Sequence, residues 1–354
     1  MSDAQTQLRA LLGLRLPIVQ APMAGGPDTP ALAAAVTHAG GLGSLGCGYA
    51  TAAQIEALAA ATREKTSGPF AINLFIRDDA PDDATAEARV LPVLQPFRRE
   101  LGLPETLAPA PAGESVDAQL AAVLRVRPRV FSFTFGVPTA AQLAAFRERG
   151  IVTVGTATTV AEGDALDALG VDVICAQGAE AGGHRGTFLG AGMGAFSEAL
   201  VGTMALVPQL VRRVRAPVLA AGGIMDGAGI RAALALGAAG VQLGTAFLDC
   251  PEAGTAAAHR QALRSPASLR TVITAAFSGR PARGIVNRMT DAFATLAPAP
   301  FPQQQQLTRE LRAAASKQGR TDLMQLWAGQ AASLIRSLPA AELVAMLARE
   351  AQLE

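Results

Sequence analysis

The chain has few of the residues that build disulfide frameworks or metal sites. Its 354 residues include only three cysteines and three histidines. Cys47, Cys175 and Cys250 are odd in number and lack C-x-x-C spacing. No group of His, Asp and Glu has the spacing of a metal site. The pattern argues against a secreted domain held together by disulfides and against a metal hydrolase. It predicts that the protein is found in a reducing cytoplasm.

Charge is also sparse. Charged residues make up 17% of the chain, the formal net charge is +1, and the only lysines are Lys65 and Lys317. Without a block of like charges, neither nucleic acid nor a membrane surface is expected as a partner. Residues 1–7 are polar and lack the layout of a signal peptide. Residues 186–211 have little charge, but glycine, a glutamate and a proline interrupt them. We therefore expect a cytoplasmic protein without a membrane span.

Short apolar runs alternate with alanine-rich helical patterns along most of the chain. The runs do not alternate polar with apolar residues, which is typical of parallel strands buried on both faces. A count of eight favours the α/β class and a (β/α)8 TIM barrel. The predicted strands are 17–21, 41–45, 69–75, 129–135, 150–155, 171–176, 217–221 and 240–244.

The chain is predicted to have two parts, because the alternation of strands and helices ends at about residue 265. The first is a barrel over residues 1–265 with a long insertion at 76–128. The second, residues 266–354, is predicted as a C-terminal lid segment with helices that pack on the barrel. Predicted barrel helices are 30–39, 51–63, 139–149, 159–168, 226–236 and 251–263. Those of the C-terminal part are 304–316, 322–337 and 339–352.

Several common catalytic signatures are absent or misplaced. The chain has no G-x-S-x-G nucleophile elbow and no Walker A sequence. Gly41–Gly46 matches G-x-G-x-x-G, but a helix precedes it, whereas a dinucleotide fingerprint follows a strand and opens a helix. Close packing of a glycine-rich strand is therefore the favoured interpretation.

Two glycine sites follow the seventh and eighth strands. In TIM barrels the loops after these strands often bind phosphate through backbone N–H groups. Glycine at 222, 223 and 244 lets the backbone approach phosphate oxygens, and the Thr245 hydroxyl adds a donor. The alternative is that these glycines only end barrel strands.

Three polar residues lie at the ends of other apolar strands. The amides of Asn73 and Gln177 can both donate and accept, which suits the edge of a flavin ring, although each is equally consistent with a loop residue bonded within the protein. His184 lies in a loop with four glycines after strand six, where an imidazole with a pKa near neutral suits catalysis. A surface loop imidazole is the alternative.

Together, seven segments resemble the nitronate monooxygenase family, formerly the 2-nitropropane dioxygenases. The resemblance covers about residues 16–330. It implies a TIM barrel with a lid, noncovalently bound FMN, and oxidation of alkyl nitronates with O₂ to a carbonyl compound and nitrite. A monomer or homodimer acting on a small molecule is expected. The segments are 20–26, 71–75, 177–186, 221–224, 242–245, 278–284 and 326–330.

Carried over by position, the resemblance implies that His184 is the catalytic residue beside the flavin. It would remove the α-proton of a neutral nitroalkane or position an anionic nitronate. Family members often place tyrosines around the substrate, whereas this chain has only Tyr49, and Phe301 or residues 303–306 stand in their place. The implied FMN-binding residues are Ala21, Pro22, Met23, Asn73, Gln177, Gly182, Gly222, Gly223, Gln242, Leu243, Gly244 and Thr245.

Two other functions remain open from the sequence. The same scaffold suits an NAD(P)H-dependent flavin reductase, such as a quinone reductase or an FMN-dependent enoyl-ACP reductase. A non-catalytic flavin-binding or ligand-sensing barrel is the third possibility. Turnover in the absence of NAD(P)H separates the first function from the second.

Overall fold

The fold is built on a closed sheet of parallel strands. The computed structural model describes residues 2–77, 82–109, 113–190, 197 and 199–353. Within them the sheet has the order β1-β9-β8-β6-β5-β4-β3-β2, and a parallel bridge between Val19 and Leu42 closes it. The predicted TIM barrel is therefore confirmed. Its strands are β1 (Ile18–Gln20), β2 (Gly43–Gly46), β3 (Phe70–Phe75), β4 (Val130–Thr134), β5 (Val152–Ala157), β6 (Val173–Gln177), β8 (Val218–Ala221) and β9 (Gly240–Leu243).

Helices surround the barrel and continue into the C-terminal segment. Threonine caps two of the barrel helices: the Thr29 hydroxyl accepts from the Leu32 N–H, and the Thr51 hydroxyl accepts from the Gln54 N–H. The helices of the described residues are α1 (Asp3–Leu12), α2 (Pro30–His38), α3 (Ala52–Arg63), α4 (Ala86–Glu100), α5 (Val116–Val126), α6 (Ala140–Glu148), α7 (Val160–Ala168), α8 (Thr203–Val211), α9 (Gly227–Ala235), α10 (Ala257–Arg264), α11 (Arg288–Ala292), α12 (Gln303–Leu307), α13 (Arg309–Lys317) and α14 (Ala340–Ala351).

The glycines of the second strand serve packing. A Cβ atom at Gly43 would lie 2.1 Å from the Ala33 carbonyl oxygen of α2, and one at Gly46 would lie 2.5 Å from the Ala24 nitrogen. Real Cβ atoms do not approach backbone so closely, so only glycine allows this helix and loop to contact the strand. The packing interpretation of Gly41–Gly46 fits these contacts, and the dinucleotide one does not.

A second sheet lies over the barrel and was not predicted. It consists of β7 (Gly183–His184), β10 (Thr271–Thr274) and β11 (Ala282–Ile285), with antiparallel pairing in the order β10-β11-β7. His184 pairs with Ala282, and Trp327 forms a further bridge with Gly284. The loop after β6 is therefore held by a strand almost a hundred residues later in the chain.

The C-terminal part differs from its prediction in two places. Residues 322–337, predicted as a helix, form turns and a short 3-10 segment at Ala332–Leu334. The backbone N–H groups that a helix would use donate elsewhere: Ala328 to Arg283, and Gln330 to Glu180. The predicted helix 304–316 is divided at Thr308 into α12 and α13. The predicted helix 339–352 is present as α14, which packs against α9 and α2.

Apolar side chains form three clusters that position these parts. One lies between the barrel and its helices, and another fills the barrel interior, where Leu8 and Leu12 of α1 pack against the strands. The third joins α4 of the long insertion to the C-terminal segment, with Phe97 and Phe277 among its members. Two segments far apart in sequence thus build one structure over the barrel mouth. No helix of the described residues is long and apolar enough to cross a membrane.

Candidate active site

A cavity of about 640 Å³ opens at the carboxyl ends of the barrel strands. Its volume lies within the range of small-molecule and cofactor sites. All of the residues predicted for the site line this cavity: His184, Ala21, Pro22, Met23, Asn73, Gln177, Gly182, Gly222, Gly223, Gln242, Leu243, Gly244 and Thr245. The structure therefore brings the predicted residues to one place, while the role of each remains a proposal.

His184 is held by one hydroxyl and by aromatic rings. Its Nε2 atom lies 2.8 Å from the Ser278 hydroxyl oxygen. The rings of Phe135 and Trp327 each have their centroids 5.5 Å from the imidazole centroid. This enclosure limits the orientations open to the imidazole, which stays half-buried at the cavity wall.

The electrostatics around His184 favour a neutral ring. Burial lowers its pKa to about 3, and the positive charges of Arg280 and Arg312 act in the same direction. The Arg280 guanidinium also lies 3.9 Å above the Phe135 ring. At neutral pH the imidazole is therefore uncharged, with one nitrogen that donates and one that accepts.

Gln177 organises the His184 loop. Its Nε2 donates to the His184 carbonyl oxygen at 3.0 Å, and its Oε1 accepts from the Gly186 N–H at 2.8 Å. The amide thus spans the loop and fixes the backbone on both sides of Arg185. One N–H of the Gln177 amide is left for a ligand in the cavity. These bonds match the alternative that the sequence left open, a loop residue bonded within the protein, and an amide that also faces the flavin remains a proposal.

Asn73 is anchored to the neighbouring barrel strand. Its Nδ2 donates to the Ser132 hydroxyl at 3.0 Å, from β3 to the neighbouring β4. This bond fixes the rotamer of the amide, whose carbonyl oxygen and second N–H remain for a ligand.

The loop after β1 is braced by the carboxylate of Asp28, which was not among the predicted site residues. Asp28 accepts hydrogen bonds from the N–H groups of Met23 at 2.5 Å and Gly46 at 2.7 Å, and from the Gln20 side chain at 2.7 Å. Burial raises the pKa of Asp28 to about 7, although these three hydrogen bonds oppose the shift. Because Asp28 directly precedes the Thr29 cap, its position resembled an ordinary helix start. A carboxylate inside a glycine-rich loop after a strand was the available signal.

The ends of β8 and β9 present unpaired backbone donors. Among the described residues, no carbonyl or side-chain oxygen accepts from the N–H groups of Gly222, Gly223 or Gly244. Gly222 and Gly223 have φ values of +117° and +72°, a region that favours glycine. Three N–H groups and the Thr245 hydroxyl thus line one end of the cavity, an arrangement suited to phosphate.

Residues 326–330 pack against Gly182, and this close contact accounts for the glycine at that position. A Cβ atom at Gly182 would lie 2.6 Å from the Ala328 carbonyl carbon and from the Gly329 nitrogen. The Gly329 N–H donates to the Thr245 hydroxyl oxygen at 3.0 Å. Gly182 is therefore required for close packing of this segment, in addition to any approach to a bound ring.

Positive charge lines the outer part of the cavity. Arg309 and Arg312 of α13 both contribute to the wall. The Arg312 guanidinium donates to the neutral oxygens of Thr308, Gln325 and Gln305. No carboxylate of the described residues pairs with either arginine, which leaves their charge available to an anionic ligand.

Comparisons with known proteins agree with this geometry. A family model described as nitronate monooxygenase matches residues 6–350. This chain belongs to the nitronate monooxygenase family. A nitronate monooxygenase of Paraburkholderia phytofirmans is 47% identical over 99% of this chain and 96% of its own. One from Pseudomonas aeruginosa is 45% identical over 99% of both chains.

The solved structure of a nitroalkane oxidase from Streptomyces ansochromogenes superposes with a TM-score of 0.91. It is 42% identical and covers 98% of both chains. The nitronate monooxygenases are a flavoprotein family of oxidoreductases that act on small molecules, and this chain is an enzyme of that kind. The unpaired donors of Gly222, Gly223 and Gly244 fit the phosphate of a flavin nucleotide.

Proposed function

We propose that this enzyme uses FMN to oxidise alkyl nitronates with O₂, giving a carbonyl compound and nitrite. The observation that carries the proposal is the convergence in one cavity of a phosphate-type donor set, two anchored amides, a neutral imidazole and unpaired arginines. Family membership supports the reaction class.

In this proposal each end of the cavity binds a different part of FMN. Gly222, Gly223, Gly244 and Thr245 bind the phosphate, and Asn73 and Gln177 donate to and accept from the ring edge. Ala21, Pro22 and Met23 line the ring, together with Gly182, Gln242 and Leu243. When bound, FMN accepts electrons from the substrate and passes them to O₂.

His184 is proposed to position the substrate. A group whose pKa is lowered to about 3 resists protonation, so it is poorly suited to remove a proton from a neutral nitroalkane. As a neutral donor it can instead hydrogen-bond a nitronate oxygen. The charge of Arg309 and Arg312 favours entry of the anion over the neutral nitroalkane. We therefore propose the nitronate as the form that reacts.

The test uses the purified protein and propionate 3-nitronate. We expect a flavin absorption spectrum, with O₂ uptake and nitrite release under air, no turnover under nitrogen, and no requirement for NAD(P)H. Turnover that appears only with NAD(P)H would instead indicate a flavin reductase. The absence of a flavin spectrum would contradict the cofactor assignment.

A His184→Asn variant separates binding from chemistry. We expect it to retain FMN and to lose most of its activity, about two orders of magnitude in kcat/KM, as for loss of a positioned polar group at a reacting centre. Full activity with retained FMN would contradict the catalytic assignment of His184.

A further inference from the structure

Two buried polar atoms on the loop and helix after β9 have no role in the proposed site. The Thr255 hydroxyl and the His259 Nε2 atom are enclosed, and neither has a hydrogen-bond partner in the protein. Both residues are 7% exposed. Buried polar groups without partners are uncommon because each loses its hydration without compensation. Both side chains line the cavity described above.

We propose that Thr255 and His259 form a polar subsite that binds a hydroxyl or N–H group of the molecule in this cavity. The proposal rests on the same cavity as the proposed function and adds a contact to it. Thr255 lies two residues before the first residue of α10, and His259 lies within α10, four residues further along the chain.

The chemistry of the imidazole defines what it recognises. A hydrogen bond to the Trp327 backbone raises the pKa of His259, whereas burial, the larger effect, lowers it to about 4. The ring is therefore neutral near pH 7, and one nitrogen donates to the backbone. Since Nε2 has no partner, Nδ1 is that donor and Nε2 carries a lone pair. A lone pair requires a donor from the ligand, and the Thr255 hydroxyl can donate or accept beside it.

The neighbouring contacts connect the subsite to residues at both parts of the proposed site. Trp327 contacts His259 through its backbone, and its ring lies 5.5 Å from that of His184. Two residues later, Gly329 donates to Thr245. The donor group can therefore come from the ribityl hydroxyls of FMN or from the substrate, and the experiment separates these sources.

The main variant is Thr255→Val, which removes the hydroxyl with little change in shape. If the Thr255 hydroxyl only stabilised the fold, its removal would lower the stability of the protein. We expect the opposite pattern: apoprotein with an unchanged or higher Tm, together with a ligand affinity about three- to tenfold weaker. His259→Phe should weaken binding in the same assay. Thr62→Val is the matched control, because Thr62 is buried in α3 and its hydroxyl donates within the helix to Leu58.

Binding of FMN is measured by titration of apoprotein, using quenching of Trp327, the single tryptophan of the chain, and equilibrium dialysis. A weaker FMN affinity in both subsite variants assigns the subsite to the cofactor. Unchanged FMN affinity with an increased KM for the nitronate at full flavin occupancy assigns it to the substrate. If affinity and KM both match wild type, the subsite proposal is wrong while the proposed function stands. Failure of wild-type protein to bind FMN contradicts both.

Discussion

The Nε2 atom of His184, in β7, lies 2.8 Å from the hydroxyl oxygen of Ser278, in the loop between β10 and β11. The same hydroxyl oxygen accepts from the Arg280 N–H at 3.3 Å. Ser278 is almost fully buried, so its position is fixed by the C-terminal segment. The orientation of the imidazole therefore depends on a residue outside the barrel.

Replacement of Ser278 by alanine tests this dependence. Without the hydroxyl the imidazole gains rotational freedom, and we expect kcat/KM for the nitronate to fall about tenfold, as for loss of an orienting partner. FMN content should stay the same, because Ser278 does not line the cavity. Steady-state kinetics and the flavin spectrum check both expectations. Ser337→Ala serves as the control, because among the described residues the Ser337 hydroxyl accepts only from Arg264.

Alanine at two glycines of the phosphate-type site should have different effects. At Gly222, with φ +117°, a Cβ atom would lie 2.9 Å from the Thr203 hydroxyl oxygen, so strain of about 1–3 kcal/mol is expected. At Gly244, the nearest contact is an ordinary 3.4 Å to the Ala21 Cβ, and φ is −107°. Gly222→Ala should lower both Tm and FMN affinity, whereas Gly244→Ala should keep the Tm. Equal Tm losses would contradict the strain argument.

Replacement of Arg312 by methionine tests how the cavity selects its substrate. The variant keeps much of the apolar stem but removes the charge, so we expect KM for an anionic nitronate to rise about tenfold. That increase corresponds to about 1.4 kcal/mol of lost binding. FMN occupancy should be retained. A neutral nitroalkane should remain a poor substrate for both proteins, and Arg349→Met, at an exposed position of α14, is the control. An unchanged KM for the nitronate would remove Arg312 from substrate binding.

Asp28 should make stability depend on pH in an unusual direction. Its folded-state pKa of about 7 lies above the ordinary value of 3.8, so between these values the folded chain binds more protons than the unfolded one. Stability from this group is then present below about pH 4 and is lost as the pH rises through 7. Urea unfolding of wild type and Asp28→Asn across pH 4–8 measures the difference. The stability gap between them should change over this window, and a constant gap would contradict the raised pKa.

The barrel could be predicted from the sequence because each of its strands is a short continuous run of residues with its own recognisable pattern. Runs such as Phe70–Phe75 and Val173–Gln177 are apolar except at Asn73 and Gln177, and every residue but Gln177 is buried, as expected for strands covered on both faces. The carboxyl ends of parallel strands meet at one edge, so Asn73 and Gln177 were expected to lie together. Both were placed in one cavity for that physical reason.

The remaining features depend on contacts that no local pattern carries. Residues 322–337 have apolar residues with helical spacing, but the N–H groups of Ala328 and Gln330 find partners on other segments. The pairing of His184 with Ala282 is equally non-local. In α4, Pro92 and Pro96 lie inside the helix and obscure its pattern. Orphaned atoms such as His259 Nε2 become visible only when burial is known.

The pairing of β7 with β11 also has a consequence for synthesis of the chain. The ribosome releases residues in order, and domains begin to fold as they emerge. The His184 loop is made about one hundred residues before its strand partner and the Ser278 hydroxyl exist. Contacts between distant residues form late because the loop between them must first close. A nascent chain that already has all eight barrel strands thus still lacks the contacts that position the His184 imidazole.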